Sequence, residues 1–194
     1  MKPDAQGFAV WFVGLPGSGK SALARGVADH LRGRGVDTVL LQMDTRRKAY
    51  FPEPKYTAQE REAAYAMFAD EAVELVGQGH NVLMDGSAHT VSMRARARSR
   101  IPRFAEVFVR CDLDEAMRRE AGRPEGLVAA DLYRRALRRR QTGEPCQGLG
   151  EVIGVDVPFE EDPGAEFIID NTRLTREQTL GKVLHFLDTW LASV

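Results

Sequence analysis

The hydrophobic positions of this chain fall into short blocks, separated by longer stretches in which they recur every three or four residues. Segments 8–13, 36–43, 81–84, 105–110 and 166–169 are nearly continuous runs of β-branched, aromatic and aliphatic side chains. Such runs are what strands buried on both faces require. The stretches between them carry helix-start signals. One helix is expected after Lys20, and a second opens at "YTAQE", where Thr57 and Glu60 have capping-box spacing, running to about Gln78 before Gly79 stops it. Others are expected over 92–100, from Asp112 with its carboxylate as N-cap, over 129–141, and from Thr175, boxed with Gln178. Trp190 reads as a core anchor of the last one. Strand and helix alternate, which predicts a three-layer α/β fold: a parallel sheet of about five strands with flanking helices. The pattern breaks at 142–166, a Gly-, Pro- and acid-rich stretch too long for a plain connection. It reads as part of a lid over about 122–164, and no linker or repeat divides 1–194 into more than one domain.

Composition narrows the possibilities. The chain has 194 residues, 43% hydrophobic and 28% charged, with a formal net charge of -1. That balance argues against a protein built to coat nucleic acid or a membrane surface. The N-terminal apolar run is too short to span a bilayer, and no targeting signal is visible. Cys111 and Cys146 form neither a disulfide framework nor a metal-ligand spacing with histidine, so a reduced, cytoplasmic setting is expected. Basic residues do cluster, at Arg94, Arg96, Arg98, Arg100 and Arg103 and again at Arg134, Arg135, Arg138, Arg139 and Arg140. Most are expected on solvated faces, with one or two reaching phosphate.

The most specific chemistry is "GLPGSGKSA": Gly14, Leu15, Pro16, Gly17, Ser18, Gly19, Lys20, Ser21 and Ala22. It contains G-x-x-x-x-G-K-[ST] between an expected strand and an expected helix, the context in which backbone amides cradle phosphate. The helix adds its positive end. Lys20 would bridge the β- and γ-phosphates of ATP, and the Ser21 hydroxyl would ligate Mg²⁺. No Asn-Lys-x-Asp guanine-reading motif follows, and the chain is short for a remodelling ATPase. A small phosphotransferase remains, with an acceptor site opposite the loop and an arginine-rich lid that excludes water.

Candidate acceptor-side residues follow from position. Asp44 comes at the carboxyl edge of a strand, where it could hold an acceptor hydroxyl and take its proton, orient Mg²⁺, or cap and pair with the arginines behind it. Asp85, in "NVLMDG", has the form of a magnesium-orienting carboxylate or of a turn residue before Gly86. Ser87 is a loop hydroxyl on the acceptor side or a local backbone partner. His89 reads as a plain loop residue. Asp156 and Phe159 lie in the lid-like loop, where Phe159 could shield the site.

Taken in order, these segments resemble the adenylylsulfate (APS) kinases over most of the chain. "GLPGSGKSALA" is similar to that family's phosphate loop, and "MDTRR" to its Asp-Gly-Asp-x-x-Arg segment. "YTAQER" resembles its Phe-Ser-x-x-Asp-Arg, "DLYRRA" its Gly-Leu-Tyr-Lys-Lys-Ala, and "IGVDVPFEEDP" its Thr-Gly-x-x-x-Pro-Tyr-Glu-x-Pro. The resemblance implies a P-loop kinase using ATP and Mg²⁺, with APS as acceptor and 3'-phosphoadenylylsulfate as product. It places Arg47, Tyr56 and Arg61 on the acceptor, Tyr56 stacking on the adenine. It places Arg119 on the nucleotide and Asp170, Asn171 and Thr172 beside the ATP base. The departures gather on one side. Gln42 and Met43 replace the first Asp-Gly, Ala63 and Ala64 replace Glu-Asn, and "DGSAHTV" replaces Ile-Ser-Pro-Tyr-Arg while keeping Ser87. Val152 stands at a second stacking aromatic, and 141–150 look inserted. Three alternatives therefore stay open: a kinase for another nucleotide-linked or phosphorylated metabolite, such as cytidine diphosphoramidate; a regulatory nucleotide-binding module without transfer; and a polynucleotide-end kinase using the Arg94–Arg103 cluster, against which the net charge argues. A homodimer is left open.

Overall fold

The computed structural model describes residues 7–122, 131–146 and 148–193. Its strands are β1 (Ala9–Val13), β2 (Thr38–Gln42), β3 (Asn81–Asp85), β4 (Phe104–Arg110) and β5 (Phe167–Asp170). They form one sheet in the order β2-β3-β1-β4-β5, with every pairing parallel. The helices are α1 (Lys20–Gly33), α2 (Met43–Tyr50), α3 (Ala58–Gly77), α4 (Val91–Arg98), α5 (Leu113–Ala121), α6 (Leu132–Thr142) and α7 (Arg176–Ser193). The expected α/β architecture is thus present.

Alternation along the strands makes two cores. Ala9, Trp11 and Val13, with Val82 and Met84, pack under Ala64, Phe68 and Ala72 of α3. Val10, Phe12, Leu83, Val107 and Val109 face the other way, against Leu23, Val27 and Leu31 of α1 and Val183 and Leu187 of α7. β1 is buried along its whole length, and each large side chain there contributes about 1.5–3 kcal/mol over an exposed position. Trp190 packs edge-on against Phe8, as expected of an anchor for α7.

One charged pair interrupts the apolar face of β4. Glu106 is fully buried, and its carboxylate lies 3.0 Å from Arg94 Nε and 3.3 Å from Arg98 Nη2. Arg94 also donates to the carbonyl of Ala88 at 2.5 Å and to that of Glu160 at 2.6 Å. Arg96 and Arg100 pair with Asp70, and Arg103 lies over the Phe8 ring. This arginine cluster therefore knits α3, α4 and β4 together, which removes the feature behind the polynucleotide reading.

Three local expectations need correction. The second strand stops at Gln42 rather than running through Met43, because "MDTRRKAY" forms α2. Its acidic residue lies in the first turn and Arg47 and Lys48 in the last, the arrangement that complements a helix dipole, and Met43 and Arg47, four apart, are both buried. Asp112 is the N-cap of α5, but its side chain makes no cap bond; instead its amide donates to Thr172 Oγ1 at 3.0 Å. Glu60 does not close its capping box onto Thr57. Thr57 Oγ1 does accept the Glu60 amide at 3.1 Å, but the Glu60 carboxylate turns to the amides of Lys55 and Tyr56. The Thr175–Gln178 box is reciprocal, at 3.0 and 3.2 Å. The helix expected over 129–141 is seen from Leu132, its first residues lying outside the described residues together with part of 122–164. Among the described residues no helix is long and apolar enough to cross a membrane.

Candidate active site

Parallel strands deliver all their carboxyl ends to one edge, and the chemistry collects there. Gly14 to Gly19 leave β1 and turn into α1. At Gly17, φ is 83°, and an added Cβ would lie 2.1 Å from the carbonyl oxygen of Ala116, so only glycine fits between this turn and α5. Gly19 caps α1 with no side-chain hydrogen bond, which leaves the positive end of the helix to serve an anion. Lys20 is buried, and its Nζ donates to the Leu15 carbonyl at 2.8 Å.

A cavity of about 1280 Å³ opens in front of this loop. Pro16, Gly17, Gly19, Lys20, Ser21 and Ala22 form its floor. Arg119, Asn171 and Thr172 form one wall, and Asp44, Asp85 and Ser87 the other, with Gln42, Thr45, Tyr65 and Gly86. Gly14 and Ser18 sit behind the floor, while Leu15 faces a second cavity of about 230 Å³.

The nucleotide-side wall is tied to the loop. Asn171 is buried and donates from Nδ2 to the Ser18 carbonyl at 2.8 Å. Arg119 donates to Asn171 Oδ1 at 3.1 Å, to its carbonyl at 2.9 Å, and to Glu115 at 2.6 Å. Hydrogen bonds from Arg118 and then Arg119 pull the Glu115 carboxyl down to about 2. Loop, β5 end and α5 are thus one polar frame. Arg25, Arg173 and Arg176 also line the cavity, a set not expected from sequence although "NTRLTR" carries two of them within four residues of Thr172.

The opposite wall is built from two adjacent strand ends and a strained segment. Gln42 and Asp85 are register partners, and Gln42 Nε2 donates to Asp85 Oδ2 at 3.2 Å. Trp11 Nε1 holds the Gly86 carbonyl at 3.1 Å, and Ala88 has a positive φ of 41°. Tyr65, another residue not singled out from sequence, is buried against this segment, and burial pushes its hydroxyl pKa up.

Arg47, Tyr56 and Arg61 do not line the large cavity; they form a layer beside it. Arg47 lies 3.5 Å from Glu60 and has its guanidinium 5.4 Å from the Tyr56 ring centre. Tyr56 has φ 56° and is partly exposed. Arg61 is buried, which lowers its pKa; it donates to the Glu151 carbonyl and has the Glu151 carboxylate at 3.5 Å. Asp156 accepts from Arg139 and from the Val152 amide, both at 2.6 Å, and so shapes the loop after α6. Phe159 stacks on Phe108 at 4.9 Å and lines the smaller cavity. Within the second arginine cluster, Arg139 serves the same loop, donating also to the carbonyls of Leu149 and Gly150.

The donors near the loop suit magnesium. Ser21, Asp44 and Asp85 offer oxygen only, and among the described residues no three His, Cys, Asp or Glu side chains are grouped closely enough to hold a metal by themselves. A hard cation shared with substrate phosphates needs that kind of partial set.

A model of the family "Adenylylsulphate kinase" matches residues 6–170. The chain belongs to that family. It is 30% identical over 181 residues to the adenylyl-sulfate kinase of Geotalea uraniireducens, covering 92% of this chain and 79% of that one. It is 29% identical over 182 residues to a probable bifunctional SAT/APS kinase of Sorangium cellulosum; the alignment covers 94% of this chain, which spans 29% of that relative's length. The fold superposes with a TM-score of 0.75 on the Mycobacterium tuberculosis APS kinase solved with AMPPNP and APS, at 25% identity, covering 94% of this chain and 98% of that one. As a member of this family the protein is an ATP-dependent kinase, which sets aside the regulatory module without transfer.

Proposed function

We propose that the protein phosphorylates the 3'-hydroxyl of adenylylsulfate with MgATP, in a cytoplasmic setting. The observation that carries this reading is the common cavity, which has the phosphate loop, Lys20 and Ser21 on its floor and Asp44 and Ser87 on the wall across from them. The amides of the loop and Lys20 hold the phosphates, and Arg119 with Asn171 and Thr172 frames the base. Magnesium, which Ser21 and Asp85 would hold, would neutralise phosphate charge. Asp44 positions the attacking hydroxyl and accepts its proton, Ser87 helps to orient it, and Arg47, Arg61 and Tyr56 receive the acceptor's anionic group and base. Transfer is in line, with charge spreading over the equatorial oxygens and met by fixed donors rather than by water. The described part of the lid, 131–146 and 148–164, covers the loop side: the Tyr133 hydroxyl donates to the Pro16 carbonyl at 2.8 Å, so α6 rests directly on the phosphate loop.

One observation favours a second acceptor, another nucleotide-linked metabolite such as cytidine diphosphoramidate: the acceptor wall departs from the family's pattern at Gln42, which lines the cavity and bonds Asp85. An added Cβ on Gly150 would lie 2.2 Å from the Tyr56 carbonyl oxygen, so the chain packs flush against Tyr56, and Val152 is buried with Tyr133 and Leu149. The test is ADP release and acceptor mass with MgATP and either compound. Preferential turnover of adenylylsulfate, lost in Asp44→Asn, supports the first reading; full turnover by Asp44→Asn would remove Asp44 from its role.

A further inference from the structure

The described structure holds two buried carboxylates at sheet positions, and they are treated differently. Glu106 in β4 is matched by two arginines. Asp85 at the end of β3 is only 6% exposed, yet among the described residues it has no ion pair; its oxygen Oδ2 accepts from the neutral amide of Gln42 at 3.2 Å. A buried carboxylate without a cation is costly unless a cation arrives with the ligand. Asp85 lines the same cavity as Lys20 and Ser21, where the nucleotide's magnesium belongs on the reading above.

Gln42 shows the same bias. It occupies the N-cap of α2, where a Ser, Thr, Asp or Asn would bond the first helical amides; Gln42 makes no cap bond, so its amide is left for another partner. Its amide goes to Asp85 instead. The two residues are register partners on neighbouring parallel strands, so the sheet itself sets their separation.

We propose that Gln42 is a positioning residue: its amide fixes one carboxylate oxygen of Asp85, so that the other serves the magnesium–nucleotide complex. Because the pair is set side by side by strand register, acid and amide are exchangeable between the two positions. The inference rests on the magnesium-dependent reading of the site, and does not depend on which acceptor is used.

The test is Mn²⁺ binding, followed by electron paramagnetic resonance in the presence of a non-hydrolysable ATP analogue, alongside analogue binding in EDTA. Asp85→Asn and Gln42→Leu are each expected to weaken Mn²⁺ binding about tenfold or more, as loss of a supporting hydrogen bond at a metal site does, without weakening nucleotide binding in EDTA. The double variant Gln42→Asp with Asp85→Asn carries the same two groups in exchanged places and is expected to recover most of that loss. Wild-type Mn²⁺ affinity in Gln42→Leu would overturn the proposal. So would a natively folded double variant no better than Asp85→Asn alone. If the unaltered protein bound Mn²⁺ no better with the analogue than without it, the magnesium reading would fall and this proposal with it. Normal Mn²⁺ binding without turnover of adenylylsulfate would remove only the acceptor assignment.

Discussion

The two walls of the cavity are made in different ways. On the nucleotide side, the phosphate loop, Asn171, Arg119 and Glu115 are linked by hydrogen bonds, two of which end on backbone carbonyls, Ser18 of the loop and Asn171 after β5. On the acceptor side, Asp44 comes from α2, Asp85 and Ser87 from the end of β3, Arg61 from α3, and Glu151 from the loop after α6; Asp85 is held by the side chain of Gln42 from β2, and Arg61 pairs with Glu151. A phosphate chain is the same in every ATP, so a wall of backbone amides serves it; an acceptor is read group by group, and a wall of side chains can change one residue at a time. The difference predicts that substitutions on the first wall harm every reaction of the protein, while those on the second alter which acceptor is used.

The largest expected effect lies under the acceptor wall. Arg94→Leu leaves Glu106 buried without its closest cation and removes the donor to Ala88, so urea unfolding should show a loss of about 3–5 kcal/mol. A loss below about 1 kcal/mol, the usual level for an exposed pair, would show that the wall does not depend on this pair. Next comes Lys20→Ala. The fold should be unaffected, and turnover should fall about 10²–10³-fold with every acceptor, as expected for removal of one preorganised charge from a transition state. An acceptor-specific loss would break the comparison outright. Arg61→Ala should do the reverse: the KM for the acceptor should rise about tenfold to a hundredfold, the worth of one charge-assisted hydrogen bond, with the KM for ATP little changed.

The smallest effect is a pH dependence. Burial, and secondarily the nearby Arg61, hold the His89 imidazole below its usual pKa. The unfolded chain then takes up a proton near about pH 6.5 that the folded protein takes up only at lower pH. Stability is therefore fully present above that value and declines as pH falls from it toward the folded-state pKa. Urea midpoints should drop slightly between about pH 7.5 and 5.5, and His89→Asn should flatten the drop; an unchanged slope would show that His89 is not the group responsible.

The same contrast explains what the sequence made legible. All five strands could be located from their apolar runs, which burial on both faces demands of the central strands β1, β3 and β4, and the phosphate loop because its glycines answer to local backbone geometry. α2 was hidden since its eight residues carry only one deeply buried apolar side chain, Met43, and its identity as a helix rests on charge order along the axis. Gln42 could be noticed from sequence only as a departure; its bond to Asp85 spans 43 positions and exists because β2 and β3 pair in one register. The arginine clusters were legible only as groups for a related reason. Spacing showed that they were grouped, but their partners, Glu106, Asp70 and Asp156, come from other elements.

The central claim is that the two walls face one another across a transferring phosphoryl group. Incubation with ATP labelled at the γ-phosphate and with adenylylsulfate, followed by separation of products, tests it directly. The account predicts label on the acceptor as 3'-phosphoadenylylsulfate, in amounts equal to the ADP formed. Label appearing only as inorganic phosphate, or remaining in ATP while the nucleotide is bound, would contradict it.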